Sequence, residues 1–317
     1  MDGNGSNLSS FTQNKEAVYT DCQDAICIFT FVLFCLSIAL IMVLNSVCLV
    51  VLPRVRGIQE TTKMFMMSLT LSDLCTGIIF GIPYLYYIIS TSWIASGSFC
   101  KILPYLGTAL VTVNALSIVS LTIDRFLAIA YSLHYPRLMT LTRSKVMVTL
   151  VWSLTVILYS ALYCLSSSQS EIVKEKHAIL CVSHNLIQFI TPSIAGVSLG
   201  TILILYAYIL KVARRQARLI AAQNILGDIE GRQNIPGPIS TKSATTVIII
   251  TGTACLCWIP GIIMTSLASE DFKVSASFYL IALTLYSSNS WLNCIIYYWR
   301  NREFKQALHN LRSSCCH

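Results

Sequence analysis

Long unbroken apolar blocks alternate with short polar connections along the chain. Seven such blocks run approximately over residues 26–53, 61–90, 98–131, 145–167, 183–212, 243–269 and 274–299. Crossing roughly 30 Å of hydrocarbon takes about 20 apolar residues, and every block reaches that length. Backbone donors and acceptors in lipid must be satisfied within the segment, so the blocks are predicted to be helices. Charge is nearly absent from them: the second carries one acid, Asp73, and the third ends at Asp124 and Arg125. Met1 to Asp24 is polar and acidic, without an apolar core or cleavage pattern, so the first block is read as a retained span rather than a signal peptide. The pattern predicts an all-α fold, a seven-transmembrane helix bundle with a short amphipathic eighth helix.

The connections predict an orientation. Seventeen of the 22 Lys and Arg residues lie on one set of alternate connections and five on the other. The richer set, including Arg54, Arg137, Arg143, Arg214, Arg215 and Arg302, is expected on the cytoplasmic side, with the N-terminus outside. Two sequons, at Asn4 and Asn7, fall on the predicted outer side and are expected glycosylation sites. Residues 1–25 therefore read as an extracellular glycosylated N-terminus, 26–299 as the transmembrane domain, and 300–317 as an interfacial helix with a cytoplasmic tail. In that last part Phe304, Ala307 and Leu308 recur at helical spacing among basic residues. Cys315 and Cys316 follow beside the membrane and are expected palmitoylation sites. Arg218 to Thr241, punctuated by Gly227, Gly231, Pro236 and Gly237, is predicted to be a mobile loop.

Composition narrows the class further. Hydrophobic residues make up 55% and charged residues 11% of the chain, against about 25% charged in a typical soluble domain. The net charge of +8 follows the positive-inside asymmetry, so nucleic acid is excluded as a partner and membrane lipid is retained. Most of the thirteen cysteines lie inside apolar blocks, where they act as small hydrophobes. Cys100 and Cys181 both face the predicted oxidising side, so a disulfide between them is expected to tie the outer loop over the bundle.

Polar side chains inside a span cost free energy and are candidates for function. Asp73 is the sole acid at mid-membrane depth, and Asn45, Asn114, Asn289, Ser290 and Asn293 are available to it from other spans. One carboxylate among several oxygens suits a small cation such as sodium, while a hydrogen-bonded cluster that only packs helices is the plainer alternative. Arg125 beside Asp124 is either a pair that lowers mutual burial cost or a snorkelling arginine at a helix end. Pro260, two residues after Trp258, predicts a kink in the sixth helix.

In order along the chain stand Leu44-Asn45-Ser46-Val47, Leu69-Thr70-Leu71-Ser72-Asp73, Asp124-Arg125-Phe126, Trp152, Cys257-Trp258-Ile259-Pro260, and Asn293-Cys294-Ile295-Ile296-Tyr297. Together they resemble the rhodopsin-like (class A) G-protein-coupled receptors. The resemblance implies a plasma-membrane receptor that transmits an extracellular signal to a heterotrimeric G protein, with arrestin and receptor kinases as further partners. It implies that Arg125 contacts the G protein once released from Asp124, that Leu133 docks into it, and that Tyr206 and Tyr297 swing inward to stabilise the active state. It assigns Trp258 to the pocket floor, and Asp73, Asn114, Asn289, Ser290 and Asn293 to a sodium site that favours rest. No other cofactor is implied.

Several positions depart from that family's pattern. Phe126 replaces the usual tyrosine, Cys294 the proline of the seventh span, Ser198 the proline of the fifth, and Ser240 an acid that clasps the arginine in many members. Measurable signalling without ligand is the expected consequence. Gly107 stands where amine receptors carry an aspartate, which argues against a biogenic amine. Ser287 stands where opsins carry the retinal lysine, which excludes a Schiff-base chromophore. Residues Tyr206 to Gln216 look similar to adenosine-type receptors, but Thr265 replaces their purine-binding asparagine. The remaining candidate lining, Tyr84, Tyr87, Tyr105, Trp258, Phe278 and Tyr286, suits a neutral or lipid-like small molecule, the plainer alternative being aromatic packing. A second outer loop that fills the pocket itself is equally open.

A channel or transporter needs a continuous polar path, and only the Asp73 cluster is present. An enzyme needs a nucleophile and base or metal ligands at depth, yet His177 and His184 sit outside the core, His134 and His309 are cytoplasmic, His317 is terminal, and no zinc spacing appears.

Overall fold

The computed structural model describes residues 25–83, 85, 98–167, 185–229, 249, 252–263 and 276–315. These form α1 (Ala25–Val51), α2 (Glu60–Cys75), α3 (Ser98–Ala130), α4 (Leu141–Ser167), α5 (Asn185–Ile229), α6 (Gly252–Ile263), α7 (Ala276–Arg300) and α8 (Arg302–Cys315). A 3-10 turn, Leu52–Arg54, follows α1, and a single helical turn, Tyr135–Leu138, links α3 to α4. Among the described residues there is no strand. Five of the described helices are long and apolar enough to cross a membrane.

α3 is the central helix. It packs against α2, α4 and α5, and its apolar stretch is 61% buried where that of α4 is 17% buried. The exposed side of α4 is apolar, with Leu150, Leu154, Val156 and Ile157 open, as expected of a helix whose solvent is lipid. α1 packs on α7 and α2. One apolar cluster joins α1, α2, α3, α7 and α8 through Val51, Leu52, Phe65, Leu121, Tyr297 and Phe304. A second gathers Leu69, Ala115, Ile118, Ile202, Tyr206 and Trp258 at the centre of the bundle.

Two features differ from the sequence-based expectations. The segment from Arg218 is not a loop at its start, because α5 continues to Ile229. Ala213, Arg214, Arg215, Gln216, Ala217, Arg218 and Leu219 are strong helix formers, and no proline intervenes before Pro236. The second span is not uniformly α-helical: after Cys75 it widens into a π-helical turn, Thr76–Gly81. α5 also carries Pro192 inside it, six positions before Ser198. α8 begins where Asn301 Oδ1 accepts from the backbone N–H of Glu303 at 2.9 Å and of Phe304 at 3.2 Å, an N-cap. Phe304 is then buried, with Ala307, Leu308 and Leu311 packed behind it.

Candidate functional site

α2 and α3 run antiparallel, and their facing positions form a ladder. Thr62 pairs with Asp124, Ser68 with Ser117, and Asp73 with Asn114. From the first rung to the third, eleven positions along α2 are matched by ten along α3 in the opposite direction, so the rungs share one seam.

At the first rung the Asp124 carboxylate is fully buried. Its Oδ2 accepts from Thr62 Oγ1 at 2.8 Å, Arg125 Nη2 at 2.6 Å and Arg125 Nε at 3.0 Å. Its Oδ1 accepts from the Tyr135 hydroxyl at 2.6 Å. That hydroxyl also lies 2.7 Å from Thr61 Oγ1, and Arg125 Nη2 reaches Thr62 and, at 3.4 Å, Gln59 Oε1. Burial, and then the bond to Asp124, pushes the Tyr135 hydroxyl up to about 12, so it stays protonated and donating at neutral pH. The two opposite charges are thus held by α2 and by the Tyr135 turn as well as by each other. Charge-assisted bonds of this kind stabilise by about 1.5–3 kcal/mol each, and an unpaired buried partner costs more. Leu133, at the same end, is 90% exposed.

At the middle rung Ser68 Oγ lies 3.1 Å from Ser117 Oγ and accepts from Trp152 Nε1 at 3.0 Å, which binds α4 to the seam. At the third, Asp73 is fully buried. Its Oδ1 accepts from Asn114 Nδ2 and its Oδ2 from Asn293 Nδ2 at 3.2 Å, with Ser290 as a further side-chain donor. Asn289 Nδ2 reaches Asn114 Oδ1 at 3.5 Å. Asn45 Nδ2 donates to the Ile41 carbonyl at 3.0 Å and to the Ser290 carbonyl at 3.3 Å, while the Cys294 thiol donates to Asn45 Oδ1 at 3.2 Å. The residue in the place of a proline therefore clasps α7 to α1.

The carboxamide oxygens of Asn289 and Asn293 are buried beside Asp73 without a hydrogen-bond partner among the described residues. A carboxylate with surplus buried oxygens fits a hard cation such as sodium. Among the described residues no group of three His, Cys, Asp or Glu side chains could hold another metal.

Trp258 and Tyr206 are buried together at the centre, and Tyr286 packs against them. The Tyr297 hydroxyl is buried without a hydrogen-bond partner among the described residues. Tyr105 belongs to a separate cluster: its ring meets Tyr163 edge-on at 5.3 Å, and it packs with Tyr159, Leu162 and Ile187. Nearby, the Tyr159 hydroxyl sits 2.8 Å from Thr112 Oγ1 and 2.9 Å from Thr191 Oγ1, tying α3, α4 and α5. Phe278 is 42% exposed. Ser287 is buried and donates to the Leu283 carbonyl at 2.8 Å. Gly107 is buried on α3. The aromatic lining expected from the sequence is thus divided between two clusters.

Tyr84, Tyr87, Thr265, Cys181, Asn4, Asn7, Ser240 and Cys316 lie outside the described residues, as do the side chains of Cys100 and Cys315. The expected disulfide, glycosylation and palmitoylation therefore fall there too. Thr62, Tyr135, Thr61 and Gln59 escaped the sequence reading. Thr62 carried a signal, being eleven residues before Asp73 and so about three turns away on the same α2 face. Tyr135 carried none, because only the fold of its connecting turn brings it to Asp124.

Residues 44–297 match the family model described as 7 transmembrane receptor (rhodopsin family). The chain is similar to the Histamine H2 receptor of Cavia porcellus, with 28% identity over 82% of this chain and 72% of the relative. It is also similar to the Alpha-1A adrenergic receptor of Oryzias latipes, 24% identical over 90% of this chain and 66% of the relative. The Tachykinin-like peptides receptor 86C of Drosophila melanogaster is 21% identical over 86% of this chain and 56% of the relative.

Proposed function

The chain belongs to the rhodopsin family of seven-transmembrane receptors, and from that premise we propose how this member is held at rest and what it senses. It is a G-protein-coupled receptor, a multi-pass membrane protein and not an enzyme, and its partner is a G protein. The channel or transporter alternative receives no support from these relatives.

The resting state is maintained by the Asp124–Arg125 pair with Thr62 and Tyr135 around it. This is the observation that carries the proposal. Arg125 becomes available to the G protein only when that cage opens, and exposed Leu133 at the same end supplies an apolar docking contact. Tyr206 and Tyr297 are the side chains that stabilise the open state. The Asp73 cluster holds sodium in the resting state through Asp73, Asn114, Asn289, Ser290 and Asn293, and release of the ion accompanies opening. The protein sits in the plasma membrane with its N-terminus outside, and arrestin and receptor kinases are its later partners. Its ligand is a neutral or lipid-like small molecule. Relatives are named for an amine, but Gly107 supplies no carboxylate to pair with one. Because Cys294 and Ser198 replace two prolines, the balance is set toward measurable basal activity.

A panel of G-protein dissociation sensors tests this directly. Wild-type receptor without ligand should dissociate at least one G-protein class above mock-transfected cells, and Arg125→Ala at equal surface expression should abolish the signal. Basal signal equal to mock refutes basal activity, and an Arg125→Ala signal equal to wild type refutes the cage.

A further inference from the structure

Following the α2–α3 ladder away from Arg125, the next rung is apolar. Seven positions beyond Asp73 on α2 lies Phe80, and seven positions back from Asn114 on α3 lies Gly107. Asp73 and Asn114 are hydrogen-bonded, so equal travel of about two turns along antiparallel helices brings Phe80 opposite Gly107. The contact is intimate. A Cβ placed on Gly107 would lie 2.9 Å from Phe80 Cδ2, closer than real Cβ contacts come, and 3.3 Å from Cε2, so the ring would have to shift.

The neighbouring backbone is built around this approach. Phe80 sits within the π-helical turn Thr76–Gly81, a feature that recurs at functional sites. Gly77 and Gly81 flank it at a spacing of four, and a Cβ on either would lie within 2.8 Å and 2.6 Å of Ile41 and Ile38 of α1. Small residues at this spacing let helices approach closely. Glycines thus seat the π turn against α1, while the Phe80 ring packs with Phe34, Ile38 and Ile41 on one side and over Gly107 on the other.

We infer that Phe80 is a specificity-determining residue: its ring takes the side-chain space of position 107, closing that subsite to a carboxylate and to a cationic ligand and leaving an aromatic wall for a neutral one. This deepens the small-molecule reading above and rests on it. An acid at position 107 has no room while the ring is there, so an ammonium group at this subsite would be desolvated without a carboxylate to pair with.

The test is a double-variant cycle on the full-length receptor, read as apparent melting temperature and surface expression. Gly107→Ala should lower the melting temperature by several degrees when Phe80 is present and by less than one degree in the Phe80→Ala background. Equal drops in both backgrounds overturn the placement. Gly107→Asp should reach the surface at least threefold less than wild type, Phe80→Ala should rescue it, and histamine at 1 mM should then protect the double variant from thermal unfolding. Failure of the rescue, or a rescued receptor indifferent to histamine, overturns the specificity role. Protection of the wild-type receptor by histamine would instead defeat the neutral-ligand reading while leaving the steric result of the alanine cycle to stand on its own.

Discussion

The two halves of the α2–α3 seam are held by different physics. Towards Arg125 the rungs are hydrogen bonds: Thr62 to Asp124, Ser68 to Ser117, Asp73 to Asn114. Towards Gly107 the seam is held by shape, a ring against a glycine and glycines against two isoleucines. Hydrogen bonds in a dry interior have few alternative geometries, so a polar seam moves between discrete arrangements. Close packing is non-directional but fixes volume, so a single added methyl group is felt. A receptor gains from both, a switch at one end and a shape filter at the other.

The largest expected effect that would sharpen this contrast is at the third rung. Asp73→Ala leaves the amides of Asn114 and Asn293 buried without their acceptor, at about 1–3 kcal/mol for each stranded group, and should sharply reduce surface expression. Asp73→Asn keeps the shape; the wild type should melt higher in sodium chloride than in choline chloride, and the variant should lose that difference. A sodium effect that persists in Asp73→Asn would place the ion elsewhere. Next in size, Asp124→Ala should raise basal G-protein signalling several-fold, because it removes the carboxylate that pairs with the Arg125 guanidinium. Unchanged basal activity would mean that the Asp124 carboxylate does not restrain the switch.

Tyr135→Phe should have a smaller effect, about a twofold rise in basal signalling with roughly 0.5–1.5 kcal/mol of lost stability from one hydrogen-bonding hydroxyl. The native hydroxyl titrates above the ordinary value of 10.0, so its contribution is complete below that pH and lost as pH rises towards about 12. A wild-type to Tyr135→Phe ratio that changed between pH 6 and 8 would contradict the protonated donor. The smallest effect is Trp152→Phe, which removes one bond to Ser68 and should cost within about 1 kcal/mol in thermal stability with signalling intact. A large signalling defect there would show that the middle rung also belongs to the switch.

Much of the candidate site was legible because charge inside an apolar block has few explanations. Asp73 and the Asp124–Arg125 pair stood out on that ground, and both are buried in bonded clusters. Thr62 was readable in principle from α2 periodicity. Tyr135, the Trp152–Ser68 bond and the thiol clasp from Cys294 to Asn45 were not, since each joins residues far apart in sequence through side chains common anywhere in a helix. The aromatic lining was read as one group because all its members are apolar and lie towards one end. Packing separates Tyr105 from Trp258 and Tyr286, since aromatic rings are indifferent to which apolar neighbour they meet.

Hydropathy alone determined the helical class, because lipid gives the backbone no partner except itself. It also determined where the costly polar groups lie along each span. Only the tertiary structure decided which of them meet, and that α2 opens into a π turn placing Phe80 over Gly107. Those outcomes depend on the rotation and closeness of neighbouring helices, which small residues and interhelical bonds set together and no single segment encodes.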